Sequence, residues 1–321
     1  MAATGTGFWQ RARRLLPWTR LDEAEPDRPA RSPAAFSGLT FGGYPVERSL
    51  AHGAMGDLFL SHDPTSGQPL VLKTVRLGAD PLLRARFLAE AASAARLRHP
   101  AIVATHASGV QGAVAWIAME WVPGHDLSLH TEPAHQLPWH QVLELMLQVA
   151  DGLGHAHAQG VLHRDLKPAN VLVQLEGSSA KIADFGCARL DEAARSRSGL
   201  MLGTPMYLAP EQVTGAPLDG RTDLYALALM TWQLLTARAP HDTGQLSGLL
   251  QQIVHQPVAP LSSLRPELPA GLSDALARAL SKDPAQRHDG PLAWAREVRR
   301  VLAAPSSPPS AARSGAPRQN D

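Results

Sequence analysis

The sequence contains a single cysteine, Cys187, which excludes an internal disulfide framework and a thiolate zinc cluster. No run of about 18 uninterrupted apolar residues occurs, so no transmembrane helix is expected. A signal-peptide core is also lacking, because Arg11, Arg13 and Arg14 break the apolar stretch near the N-terminus. Nor is there an excess of one charge. The formal net charge is +1, too small for a global field that would gather nucleic acid or an anionic membrane. Lysine is scarce beside arginine. The low cysteine content fits a reducing, cytoplasmic setting. What remains is ample apolar material: 44% of the 321 residues are hydrophobic and 18% charged, which suits a globular chain with a sizeable core.

Residues 1–40 read as a flexible extension and linker. Phe8, Trp9, Leu15, Leu16 and Trp18 alternate with Arg11, Arg13, Arg14 and Arg20. That content suits weak docking through residues 8–20 on a membrane surface or a partner. The simpler reading, favoured by the shortness of the segment and by Pro17, is a frayed tail. Residues 23–33 are rich in proline and charge, as linkers are. From about Phe41 the pattern turns to β. Leu58–Ser61 and Leu70–Val75 flank a turn at Asp63-Pro64-Thr65-Ser66-Gly67, which predicts a hairpin. A helix is expected over 81–98, then more strands over 103–107 and 113–120. Beyond Pro123-Gly124 the sequence is mostly helical, with an apolar stripe at Val142, Leu145, Met146, Val149 and Leu153. Residues 224–236 are apolar nearly all round, which predicts a buried helix. The expected class is α+β and bilobal: one domain over 41–302, with a small β-rich lobe at about 41–120 and a larger, mainly α lobe at about 123–302. Residues 303–321 read as a disordered tail.

Lys73 ends the apolar run Leu70-Val71-Leu72, where a buried ammonium needs a partner. On the following helix Leu83, Phe87, Glu90, Ala94 and Leu97 share one face, so Glu90 interrupts an inward apolar stripe with a charge. Two inward charges of opposite sign on neighbouring elements suggest an ion pair. Gly53-Ala54-Met55-Gly56 lies one hairpin earlier, and glycines there let backbone N–H groups approach phosphates. The most specific segment is His163-Arg164-Asp165-Leu166-Lys167-Pro168-Ala169-Asn170. Asp165 offers a base for a hydroxyl, Lys167 a charge for a phosphoryl group, and Asn170 an oxygen for a metal. A second carboxylate follows in Ile182-Ala183-Asp184-Phe185-Gly186. A few hard oxygen ligands, completed by phosphates, suit Mg²⁺.

With these residues in place, the chain from about Tyr44 to Leu302 resembles the bacterial branch of the eukaryotic-type (Hanks-type) serine/threonine protein kinases. The resemblance implies ATP as phosphate donor with Mg²⁺, or Mn²⁺ in its place. It implies catalytic roles for Asp165, Lys167, Lys73, Glu90 and Thr204, and metal ligation by Asn170 and Asp184. The nucleotide site would be made by Leu50, Ala51, Gly53, Gly56, Leu58, Val71, Lys73, Met119, Glu120, Val122, Asp126 and Leu172. Met119 matches the gatekeeper, Glu120-Trp121-Val122 the adenine-reading hinge, and Asp126 a ribose contact. Asp223 matches a brace for the catalytic loop, and Arg287 a distal partner for Glu211 in Ala209-Pro210-Glu211. Lys167 at the second position after Asp165 matches the Ser/Thr form. Implied partners are proteins bearing Ser or Thr, not nucleic acid, with transient self-association for autophosphorylation at Ser196 or Ser198. Three positions depart from the family pattern: Ala51 replaces the first loop glycine, Leu58 a valine, and Val71 an alanine.

Two other readings stay open. A pseudokinase scaffold predicts loss of Lys73, Asp165 or Asp184, and all three are present. A small-molecule kinase of similar fold generally lacks the long segment from Asp184 to Ala209-Pro210-Glu211. His155 and His157 have no acid or cysteine cluster to make a metal site, and a structural role is expected. Cys187 reads as a tolerated small residue.

Overall fold

Side-chain alternation along the strands sorts the N-terminal lobe into two apolar layers. The computed structural model describes residues 38–53, 56–78, 80–185, 205–241 and 245–304. The N-terminal segment 1–37, Cys187, Ser196, Ser198, Thr204 and the tail from 305 lie outside the described residues. A small hairpin of β1 (Thr40–Phe41) and β2 (Tyr44–Pro45) precedes five longer strands: β3 (Arg48–Gly53), β4 (Gly56–His62), β5 (Pro69–Arg76), β6 (Thr105–Gln111) and β7 (Val114–Glu120). These form one antiparallel sheet in the order β3-β4-β5-β7-β6. Its register sets Leu58 opposite Lys73 and Val71 opposite Met119. Leu58, Val71, Ile117 and Met119 thus join one apolar cluster with Phe87, Ala91, Leu172 and Ala183. Phe59, Leu70, Leu72, Trp116 and Ala118 form the other layer, which Phe41 and Tyr44 of the first hairpin cover. The expected turn between β4 and β5 is closed by Asp63, which accepts from the backbone N–H of Thr65 (2.9 Å) and Ser66 (2.8 Å).

The helix expected over 81–98 is α1 (Pro81–Arg96). Asp80 caps it, accepting from Leu82 N (2.9 Å) and Leu83 N (3.4 Å), and Pro81 sets its first turn. Leu83, Phe87, Ala91 and Ala94 are its buried side, with Glu90 half-buried among them. The second lobe carries α2 (Trp139–Ala158), α3 (Pro210–Thr214), α4 (Gly220–Thr236), α5 (Leu246–His255), α6 (Leu261–Leu264), α7 (Ala270–Ala279) and α8 (Pro291–Ala303). A small sheet, β8 (His125–Asp126), β9 (Val171–Gln174) and β10 (Ser179–Ile182), lies between them and the first lobe in the sequence of contacts. The α2 stripe at Val142, Leu145, Met146, Val149 and Leu153 is buried, and α4 is buried continuously from Thr222 to Leu235. The two-part architecture expected from the sequence is therefore the one observed. No helix among the described residues is long and apolar enough to cross a membrane.

Below α4 the core closes on an ion pair. Arg287 Nη1 and Nη2 donate to Glu211 Oε1 (2.7 Å) and Oε2 (2.8 Å), and Thr222 Oγ1 donates to the same carboxylate at 2.9 Å. The Arg287 side chain is fully buried and its remaining donors reach backbone carbonyls of Arg221, Ser281 and Lys282. Breaking such a pair leaves an uncompensated buried charge, at a cost of about 3–5 kcal/mol. Arg287→Ala is expected to lose stability of that order in a urea melt. A loss below about 1 kcal/mol would mean that the pair does not hold α3 to the core.

His241 sits beyond α4 with 2% exposure, and neither ring nitrogen has a hydrogen-bond partner among the described residues. Burial, reinforced by the Lys282 charge, pushes its imidazole down from 6.5 to about 4. With a depressed folded value, the unfolded chain takes up the proton first as pH falls. This contribution to stability is present above about pH 6.5 and is lost progressively toward pH 4. His125 and His130 are lowered chiefly by burial and add to the same acid slope. Asp126, with its carboxyl raised to about 6, opposes this slope in the same window, so the test is the difference between proteins: His241→Phe is expected to lose less melting temperature than the wild type from pH 6.5 to 4. An unchanged slope in His241→Phe would remove His241 as a contributor.

Candidate active site

The loop after α2 cannot hold its shape alone, because Arg164 has a left-handed backbone (φ 65) that a residue with a Cβ adopts only under constraint. The constraint comes from Asp223, in the first turn of α4 and 1% exposed. Its Oδ2 accepts from His163 N (2.8 Å) and its Oδ1 from Arg164 N (2.7 Å). His157 Nε2 donates to Oδ2 at 2.7 Å, which gives this histidine a structural role. Burial pushes the Asp223 carboxyl up, but the His157 bond and the backbone donors outweigh it and hold the group ionised, below its ordinary value. Gln212 of α3 adds a second brace. It receives Ala209 N at 2.9 Å and donates to Arg164 O at 2.7 Å.

Pinned in this way, the loop gathers three of the expected residues. Lys167 Nζ lies 2.6 Å from Asp165 Oδ2, and Asn170 Nδ2 donates to Asp165 O at 2.8 Å. The β9–β10 hairpin supplies the next carboxylate. Its register pairs Val171 with Ile182, and Ala183 N donates to Asn170 O at 2.9 Å, so Asp184 emerges beside Asn170. Lys73, from the other lobe, reaches Asp184 Oδ1 at 2.8 Å. Burial raises the Asp184 carboxyl, but the Lys73 charge, with Lys167 and His163 behind it, more than offsets this and keeps it below the ordinary range. Asp184 too is left-handed (φ 63). His163 ties the two loops together: its Nε2 donates to Ala183 O (2.9 Å), and its ring meets Phe185 edge-on at 4.8 Å between centroids.

The apolar residues expected around a nucleotide also come together. Leu50, Ala51, Leu58, Val71, Met119, Val122 and Leu172 all belong to one apolar cluster, although they come from both lobes. Gly53 faces Gly56 across β3 and β4. Gly56 has φ 126, and a Cβ there would lie 1.8 Å from Thr74 O, so only glycine fits. Ala51 pairs with Leu58 and packs into the cluster, which accounts for a methyl group at that position.

Asp126 requires a correction. Expected at a ribose, it is fully buried, and its Oδ1 caps the 3-10 turn at Leu127–Thr131 by accepting from Ser128 N at 2.8 Å. Burial pushes its carboxyl up to about 6, only partly opposed by that bond. The sequence shows the reason in hindsight, since an Asp followed two residues later by Ser is a capping pattern. Glu120 was expected to act through its backbone, and its side chain has a further task. Its carboxylate meets Lys181 Nζ at 2.8 Å and accepts Ala104 N at 3.1 Å, which joins the end of β7 to β10. Lys181 was missed. The chain has only four lysines, so each retained lysine was a usable signal.

The donor set suits a hard divalent cation. Asp184 supplies a carboxylate, and Asn170, with Nδ2 committed to Asp165, has Oδ1 left to ligate. Among the described residues no group of three or more His, Cys, Asp or Glu could hold a metal by itself. Mg²⁺ sites typically use one or two protein oxygens, with phosphates and water completing the shell.

Comparison with known proteins agrees with this geometry. Residues 44–297 match the protein kinase domain. The chain is 35% identical over 280 residues to the serine/threonine-protein kinase PknF of Mycobacterium tuberculosis, covering 84% of this chain and 59% of that protein. It is 38% identical over 261 residues to the serine/threonine-protein kinase PknJ of Mycobacterium bovis, covering 78% and 44%. The serine/threonine-protein kinase pkn3 of Myxococcus xanthus is 34% identical over 271 residues, covering 80% and 50%. The chain thus spans roughly half the length of these curated relatives. With the lobes, the pinned loop and the domain match in agreement, the chain belongs to the protein kinase family, and its similarity runs to the bacterial serine/threonine kinases.

Proposed function

We propose that this chain transfers the γ-phosphoryl group of ATP to serine or threonine hydroxyls of proteins, with residues 41–302 as the catalytic domain. The observation that carries the reading is the convergence of Lys73, Asp165, Lys167, Asn170 and Asp184 at the junction of the two lobes. Asp165, held by its loop, takes the proton of the attacking hydroxyl. Lys167, 2.6 Å away, offsets the negative charge of the phosphoryl group being transferred. Lys73 orients the ATP phosphates, and Glu90 on α1 steadies Lys73. Asp184 and Asn170 would hold Mg²⁺, which supplies charge neutralisation across the phosphate oxygens when bound. Thr204, outside the described residues, keeps the supporting role toward Asp165 that the family resemblance implies. The names of the relatives support a Ser/Thr acceptor. The intact charged set argues against a pseudokinase scaffold.

Two finer features belong to the same proposal. The chain works in the cytoplasm and associates transiently with itself for autophosphorylation.

Positioning and electrostatics carry most of phosphoryl transfer, so losing one part is severe. Lys73→Met and Asp184→Asn are each expected to lower transfer from radiolabelled ATP to a protein substrate by about two orders of magnitude or more. Near-wild-type transfer by either purified variant would sink the assignment.

Ser196 and Ser198 lie among Arg189, Arg195 and Arg197 in sequence, and Arg164 precedes Asp165. A phosphate adds about −1.5 to −2 charge and can gather such arginines. Mass spectrometry after incubation with ATP and Mg²⁺ is expected to find phosphate on one of these serines, and none in Asp165→Asn. Full activity in the Ser196→Ala/Ser198→Ala variant, with neither serine phosphorylated in the wild type, would discard the switch and leave the kinase reading intact.

A further inference from the structure

We infer that residues 15–27 of the chain dock on the outer face of α1. That face is apolar where solvent would favour polar side chains. Leu82 is 59% exposed and Leu88 43%, and Ala85, Ala89 and Ala92 are exposed beside them. Leu82, Ala85, Ala89 and Ala92 follow i, i+3, i+7 and i+10 spacing, which lines them up along one side of the helix. The opposite side already packs inward through Leu83, Phe87, Ala91 and Ala94, so α1 is apolar on two faces and only one has a described partner.

Charge points to the occupant. The exposed charged residues of α1 are Arg86 and Arg96, and its one acid, Glu90, is half-buried on the inner side. A complementary segment needs apolar side chains together with acids. Residues 15–27 offer Leu15, Leu16, Trp18 and Leu21, followed by Asp22, Glu23, Glu25 and Asp27, against a single Arg20.

The path of the chain brings that segment to the helix. At the start of the described residues, Thr40 O accepts from Gln111 Nε2 at 3.0 Å, and Gly42 N donates to Gln111 Oε1 at 3.2 Å. The next residue, Gly112, gives its carbonyl to Arg84 Nη2 of α1 at 2.8 Å. The extension therefore enters the fold beside the first turns of α1. Twelve residues separate Asp27 from Thr40, a reach of up to about 40 Å. The helix itself is about 24 Å long. A tether of this kind keeps a weak segment at roughly millimolar effective concentration, so modest contacts suffice. Because α1 also carries Glu90, docking would set how firmly that residue is held toward Lys73. This consequence, unlike the contact itself, rests on the kinase reading.

Hydrogen exchange read by mass spectrometry on the full chain, without nucleotide, tests the contact and requires no phosphoryl transfer. Leu16→Ser/Trp18→Ser is expected to speed exchange across residues 82–92 about five-fold or more, and Leu82→Glu/Leu88→Glu to do the same for residues 15–27. Arg86→Glu/Arg96→Glu should release the segment, and adding Glu23→Arg/Glu25→Arg should restore protection. These positions are either exposed on α1 or in the extension, and unchanged exchange over 224–235 verifies that the core is intact in each variant. Unaltered exchange at both sites in the leucine and tryptophan variants overturns the proposal. Protection that disappears on dilution also overturns it, because the contact would then lie between copies. The same holds if residues 15–27 gain protection only on vesicles of phosphatidylcholine and phosphatidylglycerol, which would make the segment a membrane element.

Discussion

The Asp223 carboxylate is the interaction on which the site's geometry depends. It is buried in the first turn of a helix that is itself buried on nearly every side, and it accepts the backbone N–H groups of His163 and Arg164. These two bonds hold Arg164 in a left-handed conformation that would otherwise cost of order 1–3 kcal/mol. From there the constraint passes outward. With Arg164 fixed, Asp165 turns toward Lys167, Asn170 reaches back to Asp165, and the β9–β10 hairpin sets Asp184 next to Asn170. A hydrogen bond ordinarily contributes about 1 kcal/mol, but charged acceptors in buried surroundings contribute more. The catalytic loop is in effect an appendage of the core of the second lobe.

The first lobe is joined to that appendage by two different kinds of contact. One is apolar: a single cluster runs from Leu58, Val71 and Met119 to Leu172 and Ala183, so the layer that would face adenine is also the seam between lobes. The other is ionic. Lys73 meets Asp184, and Glu120 meets Lys181, at 2.8 Å in each case. Apolar burial is non-directional and allows sliding, whereas two ion pairs at separate points fix an orientation. The seam thus combines an apolar layer with two fixed points.

Features that depend on local pattern were legible in the sequence. The turn at Asp63 to Gly67 marked the hairpin of β4 and β5, and the stripe at Val142 to Leu153 identified α2. The ordered set from His163 to Asn170 carried its chemistry in its spacing, and the structure brings Asp165, Lys167 and Asn170 together. Features that depend on distant partners were legible only where the family resemblance supplied them, as for Asp223 with the catalytic loop and Arg287 with Glu211, and the others were not. Lys181 and Glu120 are 61 positions apart, and Gln212 and Arg164 are 48 apart, with no periodicity to link them. Asp126 was misjudged for a related reason. Whether an Asp in a strand-to-turn junction faces a cleft or caps a buried turn is decided by packing around it, here the core at Leu127. Sequence placed Lys73 with Glu90, and the contact of Lys73 with Asp184 spans two lobes that no single stretch of sequence joins.

The distribution of amines has a chemical consequence of its own. Of four lysines in the chain, Lys73, Lys167 and Lys181 lie at the junction of the lobes, and the fourth, Lys282, is half-buried against Tyr225 and Ile253. None is fully exposed; the side chains of Lys73 and Lys167 are about one-tenth accessible. Arginine carries nearly all of the positive surface charge, and guanidinium groups resist acylation, whereas amines accept it. Acylating reagents therefore find almost no nucleophilic surface on this fold. Lys73, Lys167 and Lys181 are each held by a carboxylate, whereas burial lowers the Lys282 amine to about 8, so the amine most ready to react lies outside the cleft.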